Sequence, residues 1–166
     1  MDRRIYRGPI FDLVKRSVRR GGRRVRLDVI LHPGAVAIVP MLPRGRVAMI
    51  RQWRGSVGEV IYEIPAGGLK PRERPDRAAR RELIEEVGLR PGRLRRLASV
   101  YSAPGFVTEK VHIFLATRCR EVPAAPEPDE FIERVDMPLS RALRMIGTGE
   151  ICDAKTVVGL QLAARR

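Results

Sequence analysis

Three glutamates, Glu82, Glu85 and Glu86, lie within five positions of the sequence. The 166-residue chain around them has a formal net charge of +14, so this concentration of negative charge runs against the composition of the protein. Carboxylates that share a helix face repel each other by roughly 0.2–0.5 kcal/mol per pair. We therefore expect something positive to lie among them.

The surrounding sequence predicts that these glutamates share one face of a helix. Pro75 suits the first helical turn, and Gly88 suits a left-handed residue that ends the helix. At about 100° per residue the carboxylates fall on one arc, beside an apolar stripe of Ala79, Leu83 and Val87. A cluster of hard oxygen ligands suits Mg²⁺ or Mn²⁺. An acidic helix face that is simply exposed to water is the alternative.

The spacing of residues around this helix resembles the signature of the Nudix hydrolases. Gly67 and Glu73 precede the segment RELIEEVGL, which begins at Arg81. Every fixed position of the signature is present: Gly67, Glu73, Arg81, Glu82, Leu83, Glu85, Glu86, Gly88 and Leu89. The resemblance implies an α/β/α sandwich with a mixed central sheet. It also implies metal-assisted hydrolysis of a nucleoside diphosphate linked to another group.

Segments outside the signature resemble the ADP-ribose pyrophosphatase branch of that family. They are HPGAVAIVP, IRQWR and YEIPAGG before the helix and YSAPGF after it, and similarity extends from about Tyr6 to Ile146. The resemblance implies hydrolysis of ADP-ribose to AMP and ribose 5-phosphate, with Pro104 and Gly105 beside the substrate. Sugar nucleotides, dinucleoside polyphosphates and capped RNA are alternative substrates. A non-catalytic sensor of ADP-ribose is disfavoured, because such sensors usually have a degraded signature.

The resemblance also implies roles for the residues of the signature. Two or more Mg²⁺ or Mn²⁺ ions would be bound by Glu82, Glu86 and the backbone carbonyl of Ala66. Glu85 would be a further ligand or would orient the attacking water. Arg81 stands four residues before Glu85, where the two side chains can pair on a helix. The residues expected to hold the loop and the helix together are Gly67, Glu73 and Arg81.

An acid in the loop after the helix is the expected general base. Glu130 aligns best, because it comes just before the strand-like segment FIERV. Glu127 and Asp129 are its competitors, and Pro128 occupies the position at which some relatives carry the acid. A loop whose acids merely face water is the alternative. The sequence therefore predicts a base in this loop and leaves three acids open for the role.

Arginines in the segment RQWR are candidates to bind the phosphates of the substrate. Arg54 resembles the family position that makes this contact, and Arg51 is the weaker candidate. Because residues three apart on a strand face opposite sides, both could bind one ligand only if the strand bends. Trp53 could stack on adenine or lie in a core or an interface. His32 and His112 are interpreted as structural residues rather than metal ligands.

The elements that must position these residues read as strands followed by helices. IYRGPIFDLVKRSV and RRVRLDVIL are expected to form an antiparallel pair around Gly21 and Gly22. GAVAIVPML is apolar enough for a strand that is buried on both faces. FIERVDMP is expected to be the last strand, before two helices in LSRALRMIGTG and DAKTVVGLQLAARR. The prediction is a single α/β domain over 1–166, with N-terminal strands in 1–31.

Composition indicates the cellular location, the partners and the state of the cysteines that are expected for this protein. No segment resembles a signal peptide or reaches the roughly 20 apolar residues of a membrane span, so a soluble cytoplasmic protein without a membrane partner is expected. The positive charge is nearly all arginine and is spread along the chain. That distribution would attract anionic substrates, and nucleic acid is not an expected partner. Cys119 and Cys152 are expected to be buried thiols, with a disulfide between them as the alternative.

The segment 1–31 is expected to mediate a homodimer, and its first strands are expected to help to bind the substrate. Relatives in the resembled branch pack such segments across a two-fold axis, and two-fold dimers are the commonest oligomers. Ile5, Phe11 and Val14 are available for burial, although a monomer could bury them as well.

Overall fold

A computed structural model describes residues 2–125 and 131–165, in which there are twelve strands and three α-helices. The strands before the first helix are β1 (Asp2–Arg7), β2 (Asp12–Arg20), β3 (Arg23–Leu31), β4 (Ala35–Leu42), β5 (Arg46–Arg54), β6 (Glu59–Glu63) and β7 (Ala66–Gly68). Helix α1 (Pro75–Val87) is followed by β8 (Leu89–Arg90), β9 (Arg93–Tyr101), β10 (Lys110–Thr117), β11 (Arg120–Glu121) and β12 (Ile132–Pro138). Helices α2 (Leu139–Thr148) and α3 (Ala154–Ala164) come last.

The N-terminal strands form a separate antiparallel sheet in the order β1–β2–β3. A pair was expected, because residues 5–18 read as one strand. A turn divides that segment: Gly8 donates its N–H to the carbonyl of Phe11 at 3.0 Å, and Pro9 has no N–H to offer a neighbouring strand. The turn between β2 and β3 is where the sequence predicts it, and Gly21 and Gly22 have φ values of 56° and 75° there.

The central sheet is mixed, as the resemblance implies. Its strand order is β12–β5–β4–β10–β9, with β6 paired to β5 and β7 paired to β4. Strand β10 runs parallel to β4, and the neighbouring pairs β4–β5 and β9–β10 are antiparallel. Helix α1 packs on one face, and α2 and α3 pack on the other. The predicted α/β/α sandwich is confirmed.

Strand β4 shows how one sheet serves two cores. Val36 and Ile38 belong to the apolar cluster under α1, whereas Ala37 and Val39 belong to the cluster under α2 and α3. All four side chains are fully buried. Successive residues of a strand point to opposite faces, so a continuous apolar run is what a strand covered on both sides requires.

Helix α1 begins and ends where the sequence predicts. Pro75 lies in its first turn, and Gly88 ends it with a φ of 62°. The predicted apolar stripe is buried against the sheet and consists of Ala79, Leu83 and Val87. Burying a side chain the size of leucine contributes roughly 1.5–3 kcal/mol. This packing fixes the rotation of the helix, and with it the direction of the glutamate-bearing face.

Backbone hydrogen bonds attach the N-terminal sheet to the segment between β9 and β10. Ile30 donates its N–H to the carbonyl of Phe106 at 2.8 Å, and its carbonyl accepts the N–H of Thr108 at 2.9 Å. The end of β3 therefore lies directly beside the turn that contains Pro104 and Gly105.

The closing segment has the predicted strand and the two predicted helices. Both cysteines are free thiols; Cys119 is partly buried and Cys152 is exposed. The burial expected for Cys152 is wrong, because this residue lies in the short connection between α2 and α3 rather than on a packed face. Within the described residues, no helix has the length and apolar character needed to span a membrane.

Candidate active site

The glutamate-bearing face of α1 lies against strand β7. Ala66 donates its N–H to Oε2 of Glu86 at 2.9 Å, which joins the strand to the helix. The side chains of Glu82 and Glu86 are buried, whereas Glu85 is partly buried. Carboxylates are buried only when hydrogen bonds or opposite charges compensate them. The alternative of a merely solvated acidic face is therefore wrong.

Gly67 brings the backbone of β7 into contact with the carboxylate of Glu82. A Cβ atom added at Gly67 would lie 2.1 Å from Oε1 and 2.5 Å from Oε2 of Glu82, far inside van der Waals contact. The same atom added at the neighbouring Gly68 would meet nothing within 4 Å. Glycine is required at position 67 because of this close approach, since its φ lies outside the left-handed region.

Arg81 is the positive group that lies among the glutamates. Its Nε and Nη2 donate to the two oxygens of Glu73, each at 3.0 Å. Its Nη1 donates to Glu85 at 2.8 Å and lies 2.7 Å from Oε1 of Glu82. Its Nη2 also reaches the carbonyl of Gly68 at 3.2 Å. The hydrogen bonds to Glu73 foremost, and the other contacts after them, raise the pKa of Arg81, so one permanent cation joins loop, strand and helix.

The pairing with Arg81 makes the stability contributed by Glu73 depend on pH. Hydrogen bonds from Arg81 and from the N–H of Lys70 lower the pKa of Glu73 below its ordinary value of 4.5. A carboxylate whose pKa falls on folding stabilises the protein above the unfolded pKa, and this stabilisation is lost as the pH falls through the folded pKa. We therefore expect Glu73→Gln to lower the melting temperature at neutral pH, and the difference from wild type to shrink below about pH 4.5.

Calorimetry on both proteins between neutral pH and pH 3 checks this expectation. Glu59→Gln, at the exposed start of β6, is the control and should leave the melting temperature unchanged throughout. A Glu73→Gln difference that is the same at every pH would contradict the role given to the ionised carboxylate.

A cavity of about 600 Å³ opens beside β7 and the start of α3. Ala66 and Gly67 form part of its wall. The polar side chains in the wall are those of His32, Arg54, Ser102, Glu109, Asp153 and Lys155. Sites for small organic ligands have volumes of about 300–1,000 Å³. The cavity is therefore the candidate site for a substrate next to α1.

The two arginines of RQWR take different positions. Arg54 lines the cavity and donates from Nε and Nη2 to the two oxygens of Glu63, at 2.5 and 2.8 Å. Arg51 points to the other side of β5, where it donates to Glu133 at 3.0 Å and lies over the ring of Tyr62. Trp53 is 53% exposed, which excludes a place in the core.

Some of the residues that were expected near the substrate come after α1 in the sequence. The structure describes two of them, Pro104 and Gly105. Pro104 and Gly105 lie in an exposed turn immediately after Ser102 and Ala103, and Ser102 is in the cavity wall. The acids considered for the general base, Glu127, Asp129 and Glu130, lie outside the described residues.

Both histidines make local hydrogen bonds. Nδ1 of His32 accepts the N–H of Gly34 at 3.1 Å, and the side chain of His32 also lines the cavity. Nδ1 of His112 lies 2.8 Å from the hydroxyl oxygen of Ser99 on the neighbouring strand. Burial, with the charges of Arg96 and Lys110, lowers the pKa of His112, so its imidazole is neutral at physiological pH.

Four charged residues in or next to the cavity wall are not identified from the sequence: Glu109, Asp153 and Lys155 line it, and Glu63 is paired with Arg54. Glu63 is fully buried beneath Arg54, and Lys155 contacts both Glu63 and Asp153. The signal for Glu63 was a single acid within the apolar strand VIYEIP. No signal in the sequence indicates the role of Lys155, because 92 residues separate it from Glu63.

The oxygen donors around Gly67 fit a divalent cation by their chemistry. They are the carboxylates of α1 and the carbonyl of Ala66, hard ligands of the kind that Mg²⁺ and Mn²⁺ prefer. The Glu82 carboxylate already occupies the space beside Gly67. Among residues 2–125 and 131–165, no three His, Cys, Asp or Glu side chains converge as a complete metal-binding group, and Glu82 and Glu85 are directed at Arg81 instead.

Comparison with known proteins finds similar chains over nearly the whole length. The NUDIX domain model matches residues 31–156. An ADP-ribose pyrophosphatase of Bacillus subtilis is 36% identical over 160 residues, which cover 95% of this chain and 86% of the relative. A GDP-mannose pyrophosphatase of Citrobacter koseri is 37% identical over 148 residues, which cover 79% of this chain and 77% of the relative. A crystal structure described as an ADP compounds hydrolase has the same fold, with a TM-score of 0.86 at 23% identity over 99% of this chain and 90% of that one.

Proposed function

The chain belongs to the NUDIX family, and from that premise we propose that it hydrolyses the diphosphate bond of ADP-ribose to AMP and ribose 5-phosphate. The observation that carries the proposal is the cavity whose wall contains both Arg54 and strand β7, which is hydrogen-bonded through Ala66 to Glu86 of α1. A diphosphate is strongly anionic, so hydrolysis requires its charge to be neutralised while water attacks phosphorus. Carboxylates able to hold metal on one side and a cation on the other meet that requirement.

The glutamates of α1 are proposed to hold two or more Mg²⁺ or Mn²⁺ ions, together with the carbonyl of Ala66. When bound, these ions would neutralise charge on the diphosphate and assist the attack of water. The ligands would be Glu82 and Glu86. Glu85 would be a further ligand or would orient the attacking water, and its bond to Arg81 at 2.8 Å fixes its carboxylate.

A panel of nucleoside diphosphate derivatives tests the proposed substrate. ADP-ribose, GDP-mannose, a dinucleoside polyphosphate and capped RNA are each incubated with the protein in Mg²⁺ and in Mn²⁺, and the products are separated by chromatography. ADP-ribose should give AMP with the highest kcat/KM of the panel. A clearly higher kcat/KM for another member would assign that substrate instead. GDP-mannose is the strongest competitor, because its relative is as similar in identity as the ADP-ribose one, although it covers less of the chain.

We propose Glu130 as the general base, in the loop outside the described residues. Because a base acts on the chemical step, Glu130→Gln should lower kcat more than it weakens substrate binding. Glu127→Gln and Asp129→Asn are the matched comparisons and should be milder. Steady-state kinetics of the three variants give the ranking, and the reverse ranking would move the role to another acid.

A homodimer built through residues 1–31 is the proposed assembly of the single domain. The N-terminal sheet and the turn between β1 and β2 expose apolar side chains that a monomer would leave in water: Ile5, Tyr6, Phe11, Val18, Val25 and Leu27. Val18 and Val25 are direct partners across β2 and β3, so they form one apolar patch. Val14, in contrast, is buried within the chain.

The cytoplasmic location expected from the sequence stays a prediction.

Placing a charge in this patch should dissociate the dimer. Val25→Asp puts a carboxylate where an apolar contact is expected, so light scattering at micromolar concentration should show a monomer. Val57→Asp, an equally simple change at an exposed valine outside the N-terminal sheet, should leave the dimer intact. Deletion of residues 1–22 should also give a monomer and raise KM for ADP-ribose. A wild-type protein that is already monomeric would refute the proposed assembly.

A further inference from the structure

Glu63 is a fully buried carboxylate with two cations bound to it. The Arg54 guanidinium contacts both of its oxygens, at 2.5 and 2.8 Å, and the Lys155 ammonium contacts Oε2. Burial opposes the charged form of Glu63, but Arg54 and Lys155 outweigh that effect and hold the pKa of Glu63 below its ordinary value. A buried carboxylate on β6 thus links a residue of β5 to a residue of α3.

The way Arg54 binds Glu63 leaves one edge of its guanidinium for another ligand. A guanidinium has five N–H donors in a rigid plane. Nε and one N–H of Nη2 are directed at Glu63, so the edge formed by Nη1 and the second N–H of Nη2 faces elsewhere. The Arg54 side chain is 36% exposed and lines the cavity. This edge has the geometry that pairs with two phosphate oxygens.

Lys155 is held in a comparable way. An ammonium has three donors, and within the described residues two of them are directed at Glu63 and at Asp153, the latter at 3.0 Å. Asp153 is itself fixed, because it accepts the N–H and the hydroxyl of Thr156 at 3.0 and 2.5 Å. The Lys155 side chain keeps 19% of its surface exposed and is in the cavity wall beside Arg54.

Arg54 is the phosphate contact that the family resemblance implies; we propose that Lys155 joins it in a phosphate clamp, and that Glu63 is the residue that positions both cations. Lys155 would contact a phosphate of the substrate, whereas Glu63 would act only through its two partners. The inference deepens the proposed function, since the ligand it assigns is the diphosphate of a nucleotide. One anchor for two cations fixes their separation, so less side-chain freedom is lost when the diphosphate binds.

Binding of ADP measured by calorimetry in EDTA tests the clamp without turnover. ADP contains the diphosphate group and lacks the second ribose. Lys155→Met keeps an unbranched side chain as far as Cε and removes the ammonium group, and it should raise the Kd for ADP by about 10-fold. Lys110→Met is the control, because Lys110 lies over the ring of Tyr101 and outside the cavity wall. It should bind ADP as wild type does.

Glu63→Gln tests the positioning role. Glutamine fits the space but offers one acceptor oxygen in place of two, so both cations lose their fixed orientation. The Kd for ADP should rise by about 10-fold, with KM for the substrate rising while kcat changes little. Because both changes act on the same ammonium, the double variant Lys155→Met with Glu63→Gln should bind more tightly than the product of the single effects predicts. A purely structural role would lower the melting temperature without this pattern.

The possible results distinguish a failure of the phosphate clamp from a failure of the proposed function. An unchanged Kd in folded Lys155→Met, or a wild-type protein that does not bind ADP, would overturn the clamp. If Glu63→Gln does not fold, Lys155→Met still decides, because it leaves Glu63 paired with Arg54. An unchanged Kd in folded Glu63→Gln would overturn the positioning role. A protein that shows the expected ADP pattern but does not cleave ADP-ribose would contradict the proposed function and support the clamp.

Discussion

Glu86→Gln is expected to lower the turnover of ADP-ribose by at least about 100-fold, as losses of charge stabilisation at reacting phosphates do. The fold should survive for two reasons. The amide oxygen of glutamine can still accept the N–H that Ala66 gives to Oε2 at 2.9 Å. Removing one of several like charges from a helix face also relieves repulsion. Glu82→Gln should behave similarly, because its carboxylate lies on the same arc.

The measurement is kcat at saturating Mg²⁺ together with circular dichroism of the folded protein. Glu133→Gln is the matched control, since Glu133 is an exposed glutamate that pairs with Arg51 away from the cavity; its activity should equal that of wild type. Calorimetric titration with Mn²⁺ provides a second readout, in which the Glu86 variant should bind the ion more weakly. Near-normal turnover in either variant at saturating metal would overturn the ligand role proposed for the residue that was changed.

The sequence predicted the elements that depend on local pattern. The limits of α1 followed from Pro75 and Gly88, and its buried face followed from the spacing of Ala79, Leu83 and Val87. These features are encoded within a few turns of chain, so no knowledge of distant contacts is needed to read them. The bond between Arg81 and Glu85 was foreseeable for the same reason, because residues four apart on a helix are neighbours.

Features that depend on distant residues were missed. The contacts of Glu63 with Arg54 and Lys155 arise only when β5, β6 and α3 come together, and no pattern in any one segment indicates them. The sequence also does not predict the division of the first strand, because strand-forming residues stand on both sides of Gly8 and Pro9. The position of Arg51 on the other side of β5 from Arg54 was anticipated, since strand alternation alone separates them.

The site is organised by charge as much as by packing. Arg81 lies among the acids and contacts Glu73, Glu82 and Glu85, whereas metal at the cluster stays a prediction. A second cation, Arg54, lies in the cavity wall and is paired with the buried carboxylate of Glu63. Two arginines therefore have different places here: Arg81 holds the acidic face of α1, and Arg54 lines the cavity.

Gly67→Ala is expected to abolish most activity while the protein stays folded. The added Cβ would lie 2.1 Å from Oε1, 2.2 Å from Cδ and 2.5 Å from Oε2 of Glu82. These atoms are the end of a flexible side chain, so the carboxylate can move aside at little expense to the fold. It would then leave the position beside β7 that the proposed ligand set requires. A displacement of about 1 Å in a reacting group can lower the rate by roughly 100-fold, and we expect a loss of this size in kcat.

Gly68→Ala is the matched comparison for this prediction. It adds the same methyl group one residue further along β7, where nothing lies within 4 Å, so its loss of kcat should be far smaller. Both variants should keep the melting temperature of wild type within a few degrees, since neither added methyl group meets packed backbone. Mn²⁺ titration should show weaker binding in Gly67→Ala alone, because only there is the Glu82 carboxylate displaced. Equal kcat in the two variants would show that the close approach of Gly67 to Glu82 has no part in the chemistry.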